Sequence, residues 1–296
     1  MAGPAESAIQ RESASRATLL LGAASLDIYP GDGRVLPGGG ALNVAWHWAR
    51  LGFPFRFLTR IGNDRPEVFL KFMDRHGIRY LPRSIVDRGP SASIDVLIQS
   101  DRQPHMDNFV DGVWRDFRLD AAERTLLASA ERLHVILVEG AIREIHRLGA
   151  EGALRHLEVA ADFLGFRHYT VERMAETLRF VDVAFVGWPG DVTDPTIDGI
   201  RRLAFEMRKL IVVTLGSRGV LVLDGRAGAS EVFVPVQAVP VAGTTVGCGD
   251  AFIAAFLAAY WRSGDVLAAV AAGKENGAAA TAWPGPLPES AYGDHG

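Results

Sequence analysis

From Leu19 onward, short β-branched or apolar runs alternate with longer stretches in which apolar residues recur every three or four positions. The apolar runs predict strands at Thr18–Ala23, Phe55–Ile61, Leu133–Val138, Val181–Val186 and Leu210–Leu215. Between them, helical patterns cover Ala41–Leu51, Glu67–His76, Ile142–Leu157, Val171–Arg179 and Ile197–Arg208. In the first of these, Ala41, Val44, Ala45, Trp48 and Leu51 fall on one stripe, with Asn43 and Arg50 off it. Strand and helix in regular alternation imply a parallel sheet covered by helices on both faces.

Two segments break the alternation. Tyr29–Leu36 is Gly-rich and extended, and Ser91–Val113 alternates apolar with polar residues around polar turns. Both predict antiparallel strands forming a small β-flap beside the main sheet, either a lid or plain edge strands. Further on, Val220–Leu223 and Val232–Val234 predict strands spaced by Gly-rich turns, followed by small-residue helices at Asp250–Trp261 and Asp265–Trp283. No repeat of solenoid length and no long linker interrupts the chain. The expectation is a disordered tail over 1–16 and one domain over 17–296, with lid segments near 28–38 and 91–113.

Composition narrows the function classes. The chain has 296 residues, 48% of them hydrophobic, and a net charge of −4, so no excess of Lys and Arg exists to neutralise a nucleic-acid backbone. Its one cysteine, Cys248, excludes an intrachain disulfide and a thiolate zinc cage, which fits a reducing compartment. Met1–Arg16 lacks the apolar core of a signal peptide. The longest near-apolar run, Ala251–Trp261, falls short of the about 20 residues that a membrane span needs. A cytoplasmic protein with no nucleic-acid or membrane partner is expected.

The most informative stretch is Val241–Phe252, where an apolar run gives way to Thr244-Thr245-Val246-Gly247-Cys248-Gly249-Asp250 and then a helix. Glycines let backbone N–H groups approach an anion closely, and a helix N-terminus adds about half a positive charge. A carboxylate inside an anion site repels phosphate if binding is its only task. It fits if it takes the proton of a hydroxyl attacking the transferred phosphoryl group. Asp250 could equally do no more than complement the helix dipole. Cys248, at the same helix start, has a second reading as a nucleophile if His47, His76 or His134 approached it in space. Other phosphate motifs fail on spacing: Gly273-Lys274 has no Walker context, and Phe252 stands where a dinucleotide turn needs its third glycine.

Thr244–Phe252 resembles the D-T-x-G-A-G-D-x-F signature of ribokinase-like (PfkB) carbohydrate kinases. Gly38-Gly39-Gly40-Ala41-Leu42-Asn43-Val44-Ala45, followed by Leu51-Gly52, is similar to the family's other signature, G-G-x-x-x-N-x-A…L-G. Ser25-Leu26-Asp27, Arg60–Asp64 and Thr214–Gly219 resemble further pieces in the same order, so the likeness runs from about Leu19 to Pro286.

The resemblance implies a doubly wound, mostly parallel α/β sheet with a small antiparallel β lid. It also implies ATP with Mg²⁺, and phosphoryl transfer to a sugar or sugar-like alcohol. Residue by residue, it makes Asp250 the base and the backbone of Gly247, Cys248 and Gly249 the anion hole. Asp27, Gly39, Gly40, Asn43 and, by likeness to ketohexokinase, Glu139 would hold the acceptor. Thr214, Gly216 and Gly219 would border the nucleotide. For Asn43, capping of its helix is the competing reading. A homodimer through the lid is an arrangement that relatives often adopt.

The likeness also departs from the family. Gly187-Trp188-Pro189-Gly190 stands where relatives carry N-x-x-E, the motif that helps place Mg²⁺ and phosphate, and Asp191 or Asp194 are the nearby carboxylates. The metal-holding residues are therefore unknown from sequence. Thr244 replaces the opening aspartate of the signature, so a monovalent-cation site beside it does not follow from the likeness. Val246 and Cys248 replace small residues of the turn. Weakened metal contacts leave two readings: a working kinase, or a degenerate kinase fold that binds sugar or nucleotide without turnover.

Overall fold

The computed structural model describes residues 17–293 except Arg167. The tail expected over 1–16 lies outside the described residues. The strands are β1 (Thr18–Leu21), β2 (Ser25–Tyr29), β3 (Arg34–Gly38), β4 (Arg56–Leu58), β5 (Ile61–Gly62), β6 (Val86–Asp87), β7 (Ala92–Ile98) and β8 (Pro104–Val110). They continue with β9 (Arg132–Ile136), β10 (Glu158–Asp162), β11 (Val183–Gly187), β12 (Leu210–Thr214), β13 (Val220–Asp224) and β14 (Ser230–Val234). The helices are α1 (Gly40–Arg50), α2 (Pro66–Arg75), α3 (Ala121–Ser129), α4 (Glu139–Ala150), α5 (Val171–Leu178), α6 (Pro195–Glu206), α7 (Cys248–Ser263) and α8 (Val266–Ala280).

The main sheet runs β14-β13-β12-β11-β10-β9-β1-β4. Its pairs from β12 through β4 are parallel, while β13 and β14 return antiparallel. Alternation along each strand divides its side chains between two cores. Leu19, Leu21, Leu133, Val135 and Val213 point to one face, where α4, α5 and α6 present Ile145, Met174 and Ile200. Leu20, Ile136, Phe185 and Val212 point to the other, against Val44 and Trp48 of α1, Phe69 of α2, Phe256 of α7 and Val270 of α8. The resulting architecture is the doubly wound one expected.

The chain leaves β1 at Leu21 and enters a second sheet, ordered β3-β2-β7-β8. It consists of two antiparallel hairpins joined where β2 runs parallel to β7, with Asp27 opposite both Leu36 and Ile94. Because β2 grows directly from the carboxyl end of β1, this sheet begins at the edge where an open α/β sheet forms its ligand crevice.

Several boundaries differ from the sequence pattern. The helix expected over Ile142–Leu157 is α4, which ends at Ala150 before a turn containing Gly152 at φ 76°. Strand β10 then follows at Glu158–Asp162, where no strand was anticipated. The segment Phe55–Ile61 divides into β4 and β5.

Candidate active site

Helix α7 starts at Cys248 behind Gly247, which adopts the left-handed conformation at φ 75°. A side chain there would be strained and would also meet Pro286, 2.8 Å from a Cβ, so glycine is required on both counts. The first amides of α7 lack intrahelical acceptors by construction and give this end its positive potential. Among them, the Cys248 N–H turns back to the Thr245 carbonyl at 3.3 Å. Gly249 is exposed, and a Cβ built on it meets nothing within 4 Å. The space in front of the turn is therefore open.

Asp250 follows in the first turn, half-buried. Its Oδ2 accepts from Asn43 Nδ2 at 2.8 Å, a contact across 207 residues that joins the two Gly-rich signatures. Burial pushes its carboxyl up to about 6, against the Asn43 hydrogen bond, which lowers it. Asn43 does not cap α1. The N-cap is Gly39, with no side-chain cap, and Asn43 lies a turn further in, with its amide on the Gly39 carbonyl at 3.0 Å. Its Oδ1 is buried without a partner, pointing to a group that arrives with a ligand.

Asp27 projects from β2, 4% exposed. Ser25 Oγ donates to its Oδ1 at 3.0 Å, and a Cβ on Gly38 would fall 2.1 Å from its carboxylate. The triple glycine thus lets two carboxylates and a main chain share one narrow space: a Cβ on Gly40 would also come within 3.0 Å of Asp250. Burial first, then the charge of Asp250, pushes Asp27 up to about 7. Asp27, Gly39, Gly40, Asn43 and Asp250 are brought together in one place.

Glu139 has other company. At the start of α4, its carboxylate meets Arg173 at 3.0 Å, His168 at 3.7 Å and Arg143 at 3.9 Å, and the Arg173 hydrogen bond foremost holds it below the usual carboxylate range. On the far side of the main sheet's crevice, Thr214 ends β12, and the 3₁₀ turn Gly216–Arg218 closes with the Leu215 N–H on the Gly219 carbonyl at 2.9 Å. Arg218 donates to the Pro189 carbonyl at 2.6 Å, and the Trp188 N–H reaches the Thr214 carbonyl at 2.9 Å. The Gly187–Gly190 loop and the Thr214–Gly219 turn are thereby one unit.

Each aspartate of that loop has one carboxylate oxygen engaged within the loop. Asp194 Oδ2 accepts from Trp188 Nε1 at 2.8 Å and the Asp191 N–H at 2.9 Å, while Asp191 Oδ1 accepts from Thr193. A buried carboxylate close enough to feel the charge of Asp250 is Asp162, at the end of β10 and 5% exposed. Burial and then the charge of Asp250 push it up to about 7. The charge of Asp250 thus bears on both Asp27 and Asp162, a situation that a bound cation relieves. No group of three or more His, Cys, Asp or Glu at ligating distance occurs among the described residues, so a cation here would need ligands from elsewhere.

The nucleophile reading of Cys248 fails. Burial and the Asp250 charge push its thiol up to about 12, and its polar neighbour is the Thr244 carbonyl at 4.0 Å. The candidate imidazoles are otherwise engaged: His47 with Asn276, His76 with the Ala291 carbonyl, and His134 with the Ala160 carbonyl in the core. Tyr29 and Tyr292, which no motif singled out, carry buried hydroxyls without partners, and both feel the charge of Asp27.

Comparison with known proteins gives a consistent picture. Residues 184–288 match the pfkB family of carbohydrate kinases. The chain is 27% identical over 244 residues to a fructoselysine 6-kinase of Escherichia coli, covering 82% of this chain and 88% of the relative. It is 26% identical over 259 residues to a cytidine kinase of Thermococcus kodakarensis, with the same coverages. In three dimensions it is similar to a ribokinase of Arabidopsis thaliana complexed with ribose and ATP, with a TM-score of 0.75 and 18% identity over 95% of this chain and 99% of that one. No helix among the described residues is long and apolar enough to cross a membrane.

Proposed function

We infer from this chain's membership of the ribokinase-like pfkB family of carbohydrate kinases a phosphotransferase that moves the γ-phosphoryl group of ATP to a hydroxyl of a sugar or sugar-like alcohol. The observation that carries the reading is Asp250: a carboxylate with its proton affinity raised to about 6, set in the first turn of α7 and oriented by Asn43 at 2.8 Å. A base of that strength is ionised at neutral pH and still accepts a proton from a hydroxyl whose oxygen is becoming a phosphate ester.

In this reading the acceptor lies between Asp27, Asn43 and the Gly39–Gly40 backbone. Asp27 and the unpartnered Asn43 Oδ1 accept from its hydroxyls, a pairing that discriminates strongly against analogues lacking those hydroxyls. Asp250 takes the proton of the attacking hydroxyl. The α7 terminus at Gly247–Gly249 receives the phosphoryl oxygens, and its main-chain dipoles oppose the charge that develops on them. The nucleotide runs toward Thr214, Gly216 and Gly219. Glu139, whose carboxylate is paired with Arg173, would meet the acceptor only alongside that arginine.

Mg²⁺ fits this donor set as an ion bound chiefly by the nucleotide's phosphates and completed by one carboxylate or its water. Asp162 is the residue of this chain that would hold it, in place of the missing N-x-x-E glutamate. Bound there, the ion would neutralise phosphate charge and offset the repulsion between Asp162 and Asp250.

Relatives that phosphorylate fructoselysine or cytidine make these, with fructose and ribose, the first acceptors to try. The test is an ADP-release assay with ATP and Mg²⁺ over that panel, run beside Asp250→Asn. Acceptor-dependent ADP release that collapses in the variant is expected. Full activity in Asp250→Asn would remove the assigned base, and ligand binding without turnover on any acceptor would favour the degenerate fold.

A further inference from the structure

The tip of the β7–β8 hairpin rests on the strand of chain that leads into the phosphate turn. The tip is closed by Gln99 and Gln103, with the Gln99 N–H on the Gln103 carbonyl and the Arg102 N–H on the Gln99 carbonyl, both at 2.9 Å. Arg102 itself sits at φ 65°, the left-handed position of the short loop that closes the hairpin. Its side chain and carbonyl lie against residues 242–245. The Arg102 guanidinium donates to the carbonyls of Ala242 and Gly243, the latter at 3.2 Å. Its own carbonyl accepts from Thr244 Oγ1 at 3.0 Å and from the Thr245 N–H at 3.4 Å. Thr245 Oγ1 then donates to Gln103 Oε1 at 2.8 Å.

These contacts continue into the turn. Thr244 Oγ1 also receives the Val246 N–H at 3.3 Å, and the Thr245 carbonyl receives the Cys248 N–H, the first residue of α7. Arg102 is thus two hydrogen bonds from the helix terminus assigned to phosphate. The other end of the same hairpin pairs with β2, the strand that carries Asp27. One hairpin therefore touches both the acceptor wall and the back of the phosphate turn.

We propose that Arg102 is a positioning residue that locks the phosphate turn when the small sheet lies over the acceptor. It makes capture of the acceptor and grip on the nucleotide mutually reinforcing. The proposal rests on the reading of Gly247–Gly249 as the phosphate site. Thr244 is central to it: a hydroxyl there donates to the hairpin, where a carboxylate would repel the Arg102 carbonyl. Both bonds come from one guanidinium nitrogen, Nη1, whose N–H groups reach two successive carbonyls at the full length of the arginine side chain, one bond beyond the reach of a lysine.

The experiment uses the full chain and the variants Arg102→Gly and Arg102→Lys. Glycine suits the positive φ, so Arg102→Gly removes the guanidinium without straining the hairpin. Amide hydrogen exchange at Thr245 and Val246 reports the latch without any ligand, and calorimetry with ADP reports its consequence. In Arg102→Gly, exchange at these amides is expected to quicken at least tenfold and ADP affinity to fall about 5–10-fold. Arg102→Lys is expected to recover only part of this, and added guanidinium to restore ADP affinity in Arg102→Gly. Unchanged exchange together with ADP affinity within twofold of wild type in Arg102→Gly overturns the latch. Failure of the wild-type chain to bind ADP at all overturns the phosphate-site reading instead, so the two failures are told apart.

Discussion

Asp250 can act as a base only when ionised, and its surroundings decide at what pH that holds. Burial moves the loss of the ionised form from below pH 4 up to about 6, so kcat/KM is expected to be level at alkaline pH and to fall about tenfold per unit below pH 6. A pH series on wild type and Asp250→Asn checks this: the variant should lose about 10²–10⁴-fold in kcat and show no acid limb governed by that group. Asp162 makes the complementary statement about stability. Its carboxyl is raised from 3.8 to about 7, so between those values the folded chain holds a proton that the unfolded chain has released, and stability declines as pH rises. Asp162→Asn keeps the oxygen that accepts from the Leu164 N–H at 2.8 Å but cannot ionise. Urea unfolding at pH 8 should find the variant roughly 2–4 kcal/mol more stable than wild type, with the advantage gone below about pH 4. A residue that destabilises its own fold at working pH is one retained for chemistry, and a variant no more stable at pH 8 would deny that Asp162 is held against its preference.

At the scale of elements, the start of α7 concentrates the site's chemistry, and a single side chain tests it. A Cβ on Gly249 meets nothing within 4 Å, so Gly249→Val is expected to fold with a Tm within a few degrees of wild type while its branched methyls occupy the open space before the helix. ADP release should fall at least 10²-fold, with the loss shared by kcat and by the KM for ATP. Turnover within a few-fold of wild type would mean that the phosphate lies elsewhere. That element was readable in the sequence because its local requirements are chemical: glycine at a left-handed position, an amide-rich turn and an acidic first turn. Strand β10 was not. Its sequence Glu158-Val159-Ala160-Ala161-Asp162 is short, rich in alanine and buried on both faces, so it has neither polar alternation nor β-branched bulk to separate it from the preceding helical pattern. Losing the strand meant losing Asp162, which lies at its carboxyl end. Asn43 shows the converse: its helix was foreseen, but its contact is with a residue 207 positions away, and the local rule of capping gave the wrong partner.

At the scale of the whole molecule, the two-faced division of strand side chains follows from period-two alternation, and the topology from short crossovers, so the architecture could be anticipated. The placement of one sheet on another could not. The hairpin that carries Arg102 meets Thr244 and Thr245 across more than 140 residues, and exposed polar residues at a turn leave no pattern that names their partners. Such closure also governs how the molecule should respond to ligands. A ligand that binds only the folded chain stabilises it by RT ln(1 + [L]/Kd), about 2.7 kcal/mol at a hundredfold excess over Kd, which for a chain of this size raises Tm by about 5 °C. ADP with Mg²⁺ is expected to produce that shift in wild type and in Asp250→Asn, since the base has no part in holding the nucleotide. It should produce almost none in Gly249→Val, whose phosphate space is filled. Scanning calorimetry of the three chains at matched ADP decides it. Equal shifts in all three would place the nucleotide away from α7, whereas a shift absent only from Asp250→Asn would make that carboxylate a binding group and leave the acceptor's proton without its assigned destination.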